Sequence, residues 1–355
     1  MGAACGYAAS LLGADVTLVD AAAPGRATAA GAGIICPWAA VTEDPAWYAF
    51  SCAAVREYPS LIASLDADDV SYRRVGALVL ADGDDELERI RARVVARRAQ
   101  APEIGDVRIL GDGEAERLFP PLRPGTRAVF IGGAARVDGR RLAGALTDAA
   151  RRNGAQVRTG WATLACHGES VAGVAVDGEL IEADAVVAAA GAWTRGLAEP
   201  AGVSVRVVPQ RGQIMHIGLG SADTGDWPVV LPSASGHYLL AFGDSRVVAG
   251  ATWEPDAGFD VRVTPGGMYE VLANALAVAP GLASGTHLET RVGLRPASPD
   301  GRPLLGAVPG VAGLVVATGL GANGLTAGPY AGTIAARVAL GLPVAMDLGP
   351  FDPLR

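Results

Sequence analysis

Short apolar runs alternate with helically spaced apolar positions along most of this chain. Gly2 to Leu12 is small and apolar and reads as a tightly packed helix that Gly13 can close. Val16 to Val19 reads as a short strand ended by Asp20. Asp44 to Leu65 predicts a helix with Trp47, Tyr48 and Phe50 in a core, Tyr72 to Ala81 a strand, and Asp85 to Gln100 an amphipathic helix with a solvated charged face. Glu114 to Phe119 reads as a short helix stopped by Pro120-Pro121, and Ala128 to Ile131 as a strand. Val137-Asp138-Gly139 turns into a helix from Arg140 to Asn153, closed by Gly154. Val157 to Leu164 and Ser170 to Val176 alternate like strands, with a turn at Asp177-Gly178. Ala185 to Ala189 is wholly apolar, which suits a parallel strand buried on both faces. Val205 to Ile217 is a strand with a break, His237 to Phe242 and Arg246 to Ala251 a hairpin around Gly243-Asp244, and Thr264 to Ala279 a helix. Leu314 to Ala317 predicts a buried strand, and Thr326 to Leu340 a helix closed by Gly341.

The parallel, nucleotide-type pieces lie near both ends and around 137–200, and the antiparallel pieces at 70–135 and 205–290. That order implies an α/β (α+β) chain with two interleaved domains, neither continuous in sequence.

Composition removes several function classes. The 355 residues suffice for two domains. No apolar stretch is long enough for a transmembrane helix and no signal peptide is visible, so a cytoplasmic protein is expected. A net charge of −8 without a basic run argues against nucleic acid. All 29 basic residues are arginine, which rules out a pyridoxal phosphate Schiff base and a Walker A lysine. Cysteines 5, 36, 52 and 166 and histidines 167, 216, 237 and 287 form no metal-ligand pattern, so no metal is expected. No G-x-S-x-G elbow is present.

The candidate chemistry lies in glycine-rich junctions. Gly319, Gly321 and Gly324 follow the Leu314 strand and precede a helix. Such a junction brings backbone and helix-start amides close to a flat, electron-rich or anionic group. Taken alone, a three-glycine loop in a chain with 48 glycines is weak evidence. Arg295, between Gly293 and Pro296, could reach the same place. The Gly2 helix, the next strand and Asp20 form the second half of a dinucleotide-binding βαβ unit, with Asp20 able to accept hydrogen bonds from a ribose. Gly2 takes the place of the third glycine of G-x-G-x-x-G. From that missing half the reading expects that Met1 is not the true start, and that an apolar strand and G-x-G precede it.

In order, G-R-A-T-A-A-G-A-G-I at 25–34, R-V-G-A-L-V-L-A at 74–81, R-V-D-G-R-R-L at 136–142 and A-D-A-V-V-A-A-A-G-A-W at 183–193 resemble the D-amino-acid oxidase and glycine oxidase family of FAD-dependent oxidoreductases. P-Q-R-G-Q at 209–213, H-Y-L-L at 237–240, V-V-A-G-A-T at 247–252, and the closing G-L-R-P, P-D-G-R-P and G-L-G-A-N-G-L-T continue the likeness over nearly the whole chain. The resemblance implies a Rossmann-like FAD-binding domain of the p-hydroxybenzoate hydroxylase type (1–45, 136–204, 290–355). Beside it would stand an antiparallel-sheet substrate domain (46–135, 205–289). FAD would meet Gly2, Asp20, Ala21, Ala27, Thr28, Ala32, Gly33, Ile34, Trp161, Gly191, Leu320, Gly321, Asn323, Gly324, Leu325 and Thr326. It would be noncovalent, since no cysteine follows Cys166 and no histidine lies in the 25–34 loop, the places where covalent members attach it.

The resemblance also makes Arg295 and Tyr238 the residues that hold a substrate carboxylate. It implies hydride transfer from a small amino acid or secondary amine (D-amino acid, glycine or sarcosine type) to flavin N5. An imine forms and hydrolyses, and oxygen or another acceptor reoxidises the flavin. One departure is Ala322, where glycine oxidases carry a second arginine. The rival readings are an NAD-dependent dehydrogenase and a truncated chain without catalysis.

Overall fold

The computed structural model describes residues 1–40, 44–66 and 69–355. Three polar residues set helix starts. The Asp44 side chain accepts from the Ala46 and Trp47 amides ahead of the Pro45–Ser64 helix. Asp138 does the same for Gly139–Arg152, and Thr264 for Pro265–Val278. The remaining long helices are Gly2–Leu11, Asp84–Arg97 and Gly324–Ala339.

An eight-stranded sheet unites both antiparallel stretches. Its order is Thr286–Ala297, Val208–Gly218, Arg246–Gly250, Tyr238–Phe242, Val229–Pro232, Ala77–Leu80, Ala128–Ile131, Val107–Ile109. The stretches meet in one parallel pair, Val229–Pro232 with Ala77–Leu80; every other pair is antiparallel. One face packs on the Pro45–Ser64, Asp84–Arg97 and Gly139–Arg152 helices, the other on Pro265–Val278. The nucleotide-type strands form two separate groups. Thr17–Asp20 runs parallel to Gln156–Thr159, while Val186–Ala188 runs parallel to Leu314–Thr318, which also pairs antiparallel with Leu304–Ala307. The Gly2–Leu11 and Gly324–Ala339 helices pack together through small residues. A methyl at Gly332 would stand 2.8 Å from the Ala4 Cβ, so glycine sets their approach.

Several elements differ from the sequence reading. Val157 to Leu164 is two strands in two sheets: the Gly160 amide still donates to the Asp20 carbonyl, but beyond it Ala162–His167 joins Ser170–Val176. A side chain at Gly160 would strike Val176 at 2.5 Å. The Tyr72 strand breaks at Gly76, whose φ is +77°. Val186 and Val187 are half-buried rather than enclosed on both faces. Arg291 to Ala297, read only as a motif, is the end of the twelve-residue strand Thr286–Ala297. The last helix starts at Gly324, two residues earlier than expected. Among the described residues no helix is long and apolar enough to cross a membrane.

Candidate active site

Arg295 projects from the Thr286–Ala297 strand, paired with Gln210, and its guanidinium lies over Gly212. A Cβ on Gly212 would be 2.5 Å from Cζ, so the absent side chain there is what lets the arginine lie flat on the sheet. Nη1 donates to the carbonyls of Thr252 (3.0 Å) and Arg211 (3.4 Å), and Cζ stands 5.3 Å from the Trp253 ring centroid. These hydrogen bonds go to neutral carbonyls. Burial draws its pKa below the ordinary arginine value, against the raising influence of Tyr238 and Glu254; guanidinium basicity keeps it charged. A desolvated guanidinium without a carboxylate partner among the described residues is able to receive an anion.

Tyr238 opens the Tyr238–Phe242 strand opposite Gly250. Its hydroxyl occupies the space of a Gly250 side chain, since a Cβ there would lie 2.6 Å from the oxygen. Burial pushes the phenol up to about 12, Arg295 acting the other way, so the group stays a neutral donor at any ordinary pH.

Arg295 and Tyr238 share a cavity of about 460 Å³ with Ile34, Asn323, Thr326 and Trp253. Five residues singled out from sequence therefore meet here: both carboxylate-binding candidates and three of the cofactor set. Cys36, His237 and Glu270 also line it. His237 Nε2 is 3.5 Å from Glu270 Oε1, and burial lowers its pKa against the pull of that carboxylate.

The segment that carries Trp253 is pinned by P-Q-R-G-Q. Arg211 pairs with Glu254 (2.6 Å) and Asp260 (2.7 Å), while Gln213 bonds Glu254, Thr252 and Thr264.

The expected cofactor positions fall in three places. Ala27 and Thr28 lie in the Ala27–Ala30 turn, with Ala32, Gly33 and Ile34 just after it. Leu320, Gly321 and Asn323 lead into Gly324, Leu325 and Thr326, the first helical turn. The Thr326 hydroxyl donates to the Ile34 carbonyl at 2.9 Å and ties the second place to the first. The third place is the ends of the parallel strands. Asp20 and Ala21 lie there with Trp161, which is 58% exposed with its ring centroid 6.4 Å from that of Trp193. One Asp20 oxygen already accepts from Arg26 at 2.9 Å and the other from the Ala22 amide. Gly2 sits against Ala189, as a third glycine of a dinucleotide motif would.

These residues fit a dinucleotide with a flat ring. Methyls built on Gly191, Gly321 and Gly324 would meet nothing within 4 Å, so bare backbone faces open space at each. The Gly324–Ala339 helix has no side-chain cap on its first amides, which leaves donors and a positive helix end for an electron-rich ligand.

Sequence reasoning missed Trp253, His237, Glu270 and Cys36, as well as the clearing roles of Gly212 and Gly250. Gly212 stands inside P-Q-R-G-Q, and Gly250 and Trp253 in and beside V-V-A-G-A-T, but only strand register shows which side chain each glycine admits.

The family model for FAD dependent oxidoreductase, DAO, matches residues 1–338. The oxidoreductase YurR of Bacillus subtilis is 46% identical over 99% of this chain and 96% of its own. Glycine oxidase of Pseudomonas aeruginosa is 33% identical over 97% of this chain and 93% of its own. Among solved structures, iminodiacetate oxidase from Chelativorans sp. BNC1 superposes with a TM-score of 0.95 at 47% identity, covering 99% of this chain and 96% of that one.

Proposed function

Since the chain belongs to the DAO family of FAD-dependent oxidoreductases, enzymes of amino-acid and amine oxidation, we propose that it oxidises the C–N bond of a small amine with a carboxylate one carbon from nitrogen. The favoured substrates are N-substituted glycines of the iminodiacetate and sarcosine type, ahead of glycine and D-amino acids. The iminodiacetate oxidase likeness supports this order. So does Ala322 in the cavity wall, where the resemblance to glycine oxidases expects arginine and the smaller residue leaves room.

The observation that carries the reading is the uncompensated Arg295 guanidinium beside the neutral Tyr238 hydroxyl in a cavity that reaches the Gly324 helix start. Arg295 grips the carboxylate with its charge and Tyr238 donates to it. Trp253 and Ile34 line the same cavity and would restrict the pose, so positioning supplies much of the rate. Bound FAD would supply the hydride acceptor for oxidation of the C–N bond, and the imine product would hydrolyse to the keto or aldehyde compound. Asn323, Gly324 and Thr326 would hold its ring, Gly191 and the 27–34 turn its middle, and Asp20 and Trp161 its adenosine end.

We also propose noncovalent attachment, because no cysteine follows Cys166 and no histidine lies in the 25–34 loop; burial pushes the thiol of Cys36, which lines the cavity, up to about 12, against an amide hydrogen bond from Ala39. We also propose the division into FAD-binding (1–45, 136–204, 290–355) and substrate-binding (46–135, 205–289) parts; its last boundary falls inside the Thr286–Ala297 strand.

The test is anaerobic flavin bleaching by iminodiacetate, sarcosine, glycine and D-alanine, each beside the matching amine without its carboxylate. Bleaching by the carboxylated compounds alone is expected. Equal bleaching by the decarboxylated amines would remove Arg295 from its role.

A further inference from the structure

Pro329 lies within the Gly324–Ala339 helix. Having no N–H, it leaves the carbonyl four residues back, that of Leu325, without its helical hydrogen bond. The missing donor comes from a different helix: the Tyr58 hydroxyl, from Pro45–Ser64, donates to the Leu325 carbonyl. Tyr58 is 1% exposed and stacks on Tyr72 with ring centroids 5.4 Å apart, so its direction is fixed by packing. Burial first, and Tyr72 after it, raise its pKa far above the ordinary tyrosine value, which keeps the hydroxyl a donor.

The turn held in this way is the one whose Asn323 and Thr326 line the cavity and whose Thr326 hydroxyl reaches Ile34. A proline in a helix interior opens the ladder and favours a kink. An unpaired Leu325 carbonyl would tilt toward water and carry the first turn with it. We propose that Tyr58 is a positioning residue for the cofactor: it replaces the hydrogen bond that Pro329 removes and so fixes the helix start that receives the flavin. The inference rests on the FAD reading of that helix start.

Tyr58→Phe removes only the hydroxyl. Two readouts independent of turnover are the FAD dissociation constant of the apoprotein and the sulfite dissociation constant of the FAD-saturated protein, followed by loss of visible absorbance. Each should rise about tenfold, as expected for one buried carbonyl left unpaired. The decisive control is Tyr58→Phe combined with Pro329→Ala, which returns a helical N–H to Leu325. This double variant should regain both constants, and Pro329→Ala alone should match wild type. If Tyr58→Phe does not fold, the double variant is compared directly with Pro329→Ala, and equal constants are expected.

Unchanged constants in Tyr58→Phe, or no recovery in the double variant, overturn the positioning role and leave the FAD reading in place. A wild-type protein that takes up no FAD overturns both.

Discussion

Gly212→Ala adds one methyl to the central part of a strand, and the structure says where that methyl goes. Its Cβ would stand 2.5 Å from Arg295 Cζ, 2.5 Å from Nη2 and 2.6 Å from Nη1. Carbon contacts settle at about 3.5–4.0 Å, so the guanidinium must retreat by roughly 1 Å. It cannot keep its place by a small rotation, because the methyl meets the flat of the group, and Nη1 is also bound to the Thr252 carbonyl at 3.0 Å. Displacements of that size in a positioning group lower rates about 100-fold. The strand itself should tolerate the change, since alanine suits extended backbone and Gly212 faces Gly293 across the pair. The expected result is kcat/KM about 100-fold lower for carboxylated amines, with the FAD dissociation constant and melting temperature near wild type. Arg295→Leu sets the limit of the effect, a loss of roughly 30-fold to several thousand-fold, as for a charged pair at a desolvated site. Steady-state kinetics with FAD titration on both variants make the test. An unchanged kcat/KM in Gly212→Ala, or loss of FAD in either protein, would refute the assignment of Arg295 to the substrate.

Three further outcomes are expected. Tyr238→Phe should raise KM for carboxylated amines about tenfold, one hydrogen bond to a charged group. Because the phenol is pushed up to about 12, wild-type substrate affinity should show no tyrosine titration up to pH 10; a KM rise near pH 9 that Tyr238→Phe abolishes would contradict this. His216 is buried, with Arg291, Arg246 and Arg140 opposing its protonation and Glu289 favouring it. Burial leads these effects, and its pKa falls from 6.5 to about 4. A depressed folded value means its stabilisation is complete above about pH 6.5 and is lost as pH falls toward 4, roughly 3 kcal/mol at most. Melting curves at pH 7 and 4.5 should therefore diverge less for His216→Gln than for wild type, and equal slopes would exclude His216 as the source. Acid precipitation should leave all flavin in the supernatant, and yellow fluorescence in the washed pellet would show a covalent bond.

The sequence alone settled local matters. Asp44, Asp138 and Thr264 are short polar side chains able to cap free amides, so the helix starts they mark could be placed from residue type. Leu314 to Ala317 is apolar with two β-branched residues, and Gly341 closes the last helix at φ +66°. The glycine-rich segments and G-L-R-P, each weak alone, pointed to a flavin and to Arg295 only through their order, which resembles the D-amino-acid oxidase family.

What the sequence could not show depends on register and on contacts between distant segments. Val157 to Leu164 has one alternating pattern, yet Gly160 divides it between two sheets, since periodicity does not reveal which neighbour a strand takes. Gly212 and Gly250 look like any of 48 glycines until strand pairing lays Arg295 over one and Tyr238 over the other. Tyr58 and Pro329 lie in two separate helical segments and carry no signal of each other in the sequence. Only the packing of those two helices, 267 residues apart at the contact, turns the phenol into the missing donor for Leu325. Local preference decides which elements form; which side chain fills which gap is decided where elements meet.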